Sequence, residues 1–197
     1  MPEKVAAKRS KKTATVKVPE RGPGTFVRAH VDGPKVGRSG APLLRYDVRV
    51  EKGLPFRPDA TATEIQAILS DSRSWIGSGK QRLELVSSAK RADVSVYLAT
   101  PDTTDRLCAP LRTYGKVSCQ TGNRVVLNAK RWAFGADAYG SEVAAYRRYL
   151  VNHEFGHRLG HQHVRCPSKG KRAPVMMQQT KGLHGCRPNP WPLPKRR

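Results

Sequence analysis

The chain has 197 residues, with 37 Lys and Arg against 15 Asp and Glu and a formal charge of +22. This length suits one domain with tails, and no stretch approaches the about 18 uninterrupted apolar residues of a membrane-spanning helix. The absence of a heptad register or a 20–50-residue repeat excludes a coiled coil and a solenoid, while the charge by itself suggests nucleic acid as a partner.

Residues 1–24 contain seven Lys or Arg and two Glu and end in Gly-Pro-Gly. With little apolar periodicity they read as a disordered basic arm, and they lack the apolar centre of a signal peptide. A single domain is expected over 25–197. Its opening segment TFVRAHV (25–31) is β-like, and LLRYDVRVE (43–51) alternates, with Leu44, Tyr46, Val48 and Val50 on one face. Thr61 and Glu64 fit a capping box ahead of the stripe Ile65, Ile68 and Leu69, which predicts a helix over 62–71. RLELVSS (82–88) and DVSVYLAT (93–100) read as strands, a loop carries Cys108 and Cys119, and RVVLNA (124–129) reads as a further strand. This order implies an α+β fold in which a helix backs a mixed sheet through a right-handed crossover. A long helix is predicted from about Glu142 to Leu159, with Ser141 as its cap. Along it Val143, Tyr146, Leu150, His153 and His157 form one stripe. Beyond Gly160 the chain reads as irregular, and RPNPWPLPKRR (187–197), with four prolines, reads as an extended basic strap.

The four cysteines, Cys108, Cys119, Cys166 and Cys186, include no C-x-x-C pair. They suit two disulfides, with three possible connectivities. Sequential pairing, 108–119 and 166–186, closes the shortest loops and is preferred; four buried thiols in a reducing compartment is the alternative.

Residues 153–163 read HEFGHRLGHQH. Helical spacing sends the imidazoles of His153 and His157 to one side, where they can chelate one ion. Glu154 is turned about 100° from His153, near the ion but off the chelating line, where it can take a proton from an activated water. Gly160 can adopt φ > 0, end the helix and let the chain bring in His163, which is preferred over His161 as third ligand. Three neutral imidazoles leave room for water, the open arrangement of a catalytic zinc site.

With this motif the chain resembles the metzincin metalloproteases, whose signature is H-E-x-x-H-x-x-G-x-x-H followed by a Met-turn. APVMMQQT (173–180) supplies the methionine, Met176 or Met177, with Met176 preferred because an aliphatic residue precedes it. The runs VYLATPDTTDRLCAPL, GNRVVLNAKRWAFG, NHEFGHRLGHQHVRCP and APVMMQQTKGLHGCRPNPWP are similar to an exported bacterial metzincin-like domain family of unknown function. The resemblance spans roughly 25–194. It implies a zincin fold with a twisted mixed sheet, a backing helix, an active-site helix and a disulfide-stapled C-terminal part. It also implies one Zn²⁺ held by His153, His157 and His163, with Glu154 as general base and Gly160 and Met176 supporting the site. Some metzincins carry a tyrosine two residues after the methionine; here Gln178 or Gln179 stands there, and His184 or Gln178 are the substitutes to consider. A Cys166–Cys186 bridge would bracket Met176 and contribute about 3 kcal/mol against the unfolded chain.

The leading expectation is a zinc-dependent endopeptidase acting on a peptide or protein, with an edge strand within 93–100 or 124–129 aligning the substrate. The rivals are a catalytically inactive metzincin-like domain and a cationic polyanion-binding protein with structural zinc. Against a nucleic-acid partner, aromatic residues make up only 7% and no binding signature accompanies the basic residues. A monomer is expected, outside the cell or at its surface, where the cationic surface would hold it on anionic envelope polymers.

Overall fold

A computed structural model describes residues 16–194. Residues 1–15, most of the expected arm, and the last three residues of the strap lie outside them.

The longest strand, β2 (Leu43–Glu51), is the spine of a six-stranded mixed sheet. Its alternation buries Leu44, Tyr46, Val48 and Val50 on one face. On one side it pairs in parallel with β4 (Val94–Ala99), with Tyr46 opposite Val94 and Val50 opposite Leu98. β4 pairs in parallel with β6 (Arg124–Asn128), and β5 (Cys119–Thr121) closes that side antiparallel to β6. The other side of β2 is shared. β3 (Arg82–Leu85) pairs in parallel with its first half, and β1 (Phe26–Arg28) runs antiparallel to its end. β4 and β6, where an edge for substrate was expected, are therefore both internal. The edge on this side is β5, whose three residues are too few to show a period.

Helix α1 (Pro58–Leu69) connects β2 to β3 and packs on the sheet. It begins earlier than its apolar stripe suggests, because Pro58 supplies a fixed φ at the first helical position. The expected capping box does not form. Thr61 Oγ1 instead donates to the Arg57 carbonyl (3.0 Å), and Glu64 accepts from Arg147 Nη1 (2.9 Å) on the long helix α4 (Val143–Arg158). Nor does Ser141 cap α4; the flanking residue is Glu142, with no side-chain cap. Ile65, Leu69, Val96, Leu98, Leu127, Tyr146, Leu150 and Phe155 belong to one core between sheet and helices. Each large apolar side chain fully buried there contributes about 1.5–3 kcal/mol. Phe155 meets Tyr46 edge-on, with ring centroids 5.4 Å apart, and fixes α4 against β2.

The span read as a cysteine loop contains α2 (Pro101–Cys108) and β5, and α3 (Ala129–Phe134) follows β6. α2 covers the opposite sheet face, where Tyr97 and Val126 pack with Cys108 and Cys119. Residues 16–24 also depart from the expected arm, because they are docked. Val18 packs on the core, Asp102 N donates to Glu20 O (3.0 Å), and Gly24 N donates to the buried Glu51 carboxylate (2.8 Å). That carboxylate also accepts from Thr100 N (2.7 Å) and Thr103 Oγ1 (2.7 Å), joining the segment to the start of α2.

The cysteines are paired in sequence, Cys108–Cys119 and Cys166–Cys186, which fits an oxidising environment. No helix among the described residues is long and apolar enough to cross a membrane. Among the described residues no regular strand or α-helix follows α4, and residues 187–194 lie against α4 as an irregular strap. Asn152 Nδ2 donates to Pro190 O (3.1 Å), and the Arg73 guanidinium lies 4.1 Å from the Trp191 ring centroid.

Candidate metal centre

Helix α4 carries His153, Glu154 and His157 at its C-terminal end, where the chain must turn for a third imidazole to join them. Gly160 makes that turn at φ +90°. Its N–H donates to His157 O (2.9 Å) and that of His161 to Gly156 O (2.9 Å), the paired bonds of a left-handed helix stop. The reversal returns His163 over the helix face. His161, the competing candidate, turns away and stacks on Trp75, with centroids 4.3 Å apart.

The three Nε2 atoms form a nearly equilateral triangle. His153 to His157 is 3.2 Å, His157 to His163 is 3.0 Å, and His153 to His163 is 3.3 Å. Each corner lies about 1.8 Å from the centre, a spacing that would suit three imidazoles holding one divalent cation. Tautomers agree with this. His153 Nδ1 faces the Val175 carbonyl at 2.8 Å and His157 Nδ1 faces the His161 carbonyl at 2.9 Å. A carbonyl only accepts, so both Nδ1 atoms carry the proton and both Nε2 lone pairs point at the shared centre. Burial pushes His153 down to about 3 and lowers His157 and His163 as well, which keeps the rings neutral, as ligands must be. The donor set fits a divalent cation that accepts nitrogen.

Glu154 is 4% exposed. No hydrogen bond reaches its carboxyl from the other described residues, and burial pushes its pKa up to about 8. It lines a cleft of about 430 Å³ with the three histidines and Tyr149. One wall is residues 111–113 and 117–120, including β5; the other is Gln178, Thr180 and Lys181. A carboxyl of this kind beside an ion site is suited to exchanging a proton with a reactant near neutral pH.

Residues 13–194 match a family described as Protein of unknown function (DUF3152). The chain belongs to this family. No curated protein and no solved structure matches it.

Beneath the histidines, the DUF3152 chain makes a tight turn at 174–177, with Met177 N donating to Pro174 O (3.0 Å). The two methionines then diverge. Met176 enters the main core against Gly156 of α4, while Met177 packs with Ala173 and the Cys166–Cys186 bridge. The turn is held from α4 by Tyr149, whose hydroxyl donates to Met177 O (3.0 Å) and accepts from Gln179 N (2.9 Å). Gln179 is fully buried, accepting from Tyr139 and Asn189 and donating to two carbonyls, so it is a strut of the turn and is not open to a substrate. Of the two substitutes for the missing tyrosine, Gln178 lines the cleft, whereas His184 lies in an adjoining cavity.

Tyr149, Gly156 and Trp75 were not marked by sequence, and Gln179 was noted only as a position where a tyrosine was missing. Tyr149 stands four residues before His153, a helical spacing that places it under the same face. The others are joined to the site only through the fold.

Proposed function

We propose that this DUF3152 protein is a zinc-dependent peptide-bond hydrolase with a metzincin-like fold and site. One observation carries the reading: three neutral imidazole nitrogens 3.0–3.3 Å apart converge in an open cleft directly beside a buried carboxyl, Glu154. His153, His157 and His163 would hold the ion. Zinc, when bound, lowers the pKa of its water to about 7 and polarises a carbonyl. Glu154 accepts a proton from the attacking water on a carboxylate oxygen and delivers it to the leaving amine nitrogen. β5 edges the cleft through Cys119 and Gln120 and offers backbone groups to an extended peptide, which would add as a further strand. Met176, pressed on Gly156, and the Val175 carbonyl hold the His153 side of the site from below.

The test is zinc content per chain followed by cleavage of a mixed peptide library, with Glu154→Gln in parallel. The expected result is one zinc per chain in both proteins, and a rate about 10²–10⁴-fold lower in the variant. Equal rates would remove Glu154 from the chemistry. Zinc binding with no cleavage by wild type would favour the inactive or purely cation-bearing alternatives.

A further inference from the structure

Glu154 is the last acidic residue of the chain. The 43 residues after it hold ten Lys and Arg and not one Asp or Glu. This segment builds one wall of the cleft and then continues into a second cavity of about 600 Å³. The two cavities share His163, Gln178 and Lys181, so a chain lying in the first meets the second immediately beside the three histidines. Arg165, Lys181 and His184 line the second cavity, and no carboxylate does. Among the described residues, neither Arg165 nor Lys181 forms an ion pair or a side-chain hydrogen bond, so both charges are free for a ligand. Met177 and Val164 supply an apolar base, which suits the methylene part of a side chain.

The cavity is held in shape. Cys166–Cys186 joins the strand of chain that carries Arg165 to the one that carries His184. Gly170 N donates to Gly185 O (2.7 Å) and Arg187 N to Lys171 O (2.7 Å) alongside it. Val164 N donates to Met176 O (3.2 Å), tying the same wall to the turn beneath the histidines. A wall whose backbone is already held in this way has less to order when an anion binds.

We propose that this second cavity is a specificity pocket that receives an acidic side chain, Asp or Glu, of an extended peptide substrate on one side of the scissile bond. The inference rests on the hydrolase reading for the scissile bond, and on the pocket alone for the choice of side chain. Arg165 offers a planar fork that matches a carboxylate, and Lys181 adds a point charge at the junction of the two cavities.

Two measurements test it. In the zinc-loaded library assay, cleavage sites should be enriched in Asp or Glu on the same side of the bond in every product. Arg165→Glu with Lys181→Glu should reverse the preference towards Lys and Arg, and Arg165→Gln with Lys181→Gln should abolish it. Separately, binding of a fluorescent Asp/Glu peptide and its Asn/Gln counterpart to the Glu154→Gln protein is read by anisotropy. The acidic peptide should bind roughly tenfold more tightly, and the advantage should vanish in the Gln pair. Cleavage without an acidic preference overturns the pocket and leaves the hydrolase reading standing. Selective binding of the acidic peptide without cleavage by wild type does the reverse. Equal binding of both peptides, with retention only on a polyanion such as heparin, overturns the pocket as well.

Discussion

Gly156 shows how a residue with no chemistry of its own governs the site. A Cβ there would lie 2.8 Å from the Trp75 ring carbon Cζ2 and closer still to Met176 Sδ. The absence of a side chain lets Met176 press against the helix between His153 and His157. Trp75 is itself pinned, donating from Nε1 to Asn152 O (2.8 Å) and stacking on His161, so the ring has little room to retreat. Gly156→Ala should therefore overpack a filled site and cost about 1–3 kcal/mol in a urea melt of the metal-free protein, despite the gain in helix propensity. Zinc affinity should fall with it, as the displaced Met176 drags Val175 and the carbonyl that orients His153. An Ala variant as stable as wild type, with unchanged affinity, would show that Met176 moves freely.

At the level of elements, the segment after α4 substitutes crosslinks and capped turns for regular structure. Removing the second bridge with Cys166→Ser and Cys186→Ser should lower stability by about 3 kcal/mol, since it closes a loop with a sequence separation of 20. The equivalent Tm loss with zinc site occupancy retained would show that the bridge stabilises the chain without shaping the ligands; a loss of occupancy would show that it does both. The strap has its own anchor. Asp71 accepts from Arg73 Nε (2.8 Å), Nη2 (2.6 Å) and N (2.8 Å), holding the guanidinium over Trp191. These Arg73 bonds hold the Asp71 carboxyl below its ordinary 3.8. A carboxyl with a depressed folded pKa stabilises the fold above the unfolded value and loses that contribution as pH falls through the folded one. Between pH 5 and 2, wild type should therefore lose stability relative to Asp71→Asn, and parallel curves would dismiss the anchor. The same scale explains what could be read in advance. The long elements β2, β4 and α4 were legible because each has enough residues to show its period, and the histidine pattern because helical spacing and one glycine dictate it. α3 escaped because six residues hold no period, although Asn128, which accepts from Lys130 N and Arg131 N, marks its start. α2 has Pro101 and Asp102 in its first turn, but its Thr-rich, polar sequence hid the helix. The docking of residues 16–24 depends on Glu51, a buried carboxylate whose partners come from two distant segments, and no local pattern encodes that.

For the molecule as a whole, the charge is segregated. Before residue 155 the cations are interleaved with acids, and the ion pairs of the described residues all lie there, among them Arg28–Asp47, Arg45–Glu84 and Arg147–Glu64. After Glu154 nothing offsets the Lys and Arg residues, and that segment forms one wall of the cleft and the cavity beyond it. On the hydrolase reading the positive field of this segment would be focused where a substrate enters, and its part of the +22 would act as a steering device. Steering is a long-range effect and salt screens it: the Debye length shrinks from about 30 Å at 0.01 M to about 8 Å at 0.15 M. Over that range kcat/KM for an acidic peptide should fall by roughly tenfold, while a neutral peptide of the same length keeps its value. The decrease should lie in the association step, so kcat at saturating substrate should hold steady. Arg165→Gln with Lys181→Gln should remove only part of the salt dependence, because Arg112 on the opposite wall and the remaining cations of the segment still contribute to the field. If the neutral peptide proved equally sensitive to salt, the focused field would have no bearing on substrate capture. If neither peptide responded, the charge would act on something other than the cleft, and retention of the protein on an anionic polymer would be the quantity to follow.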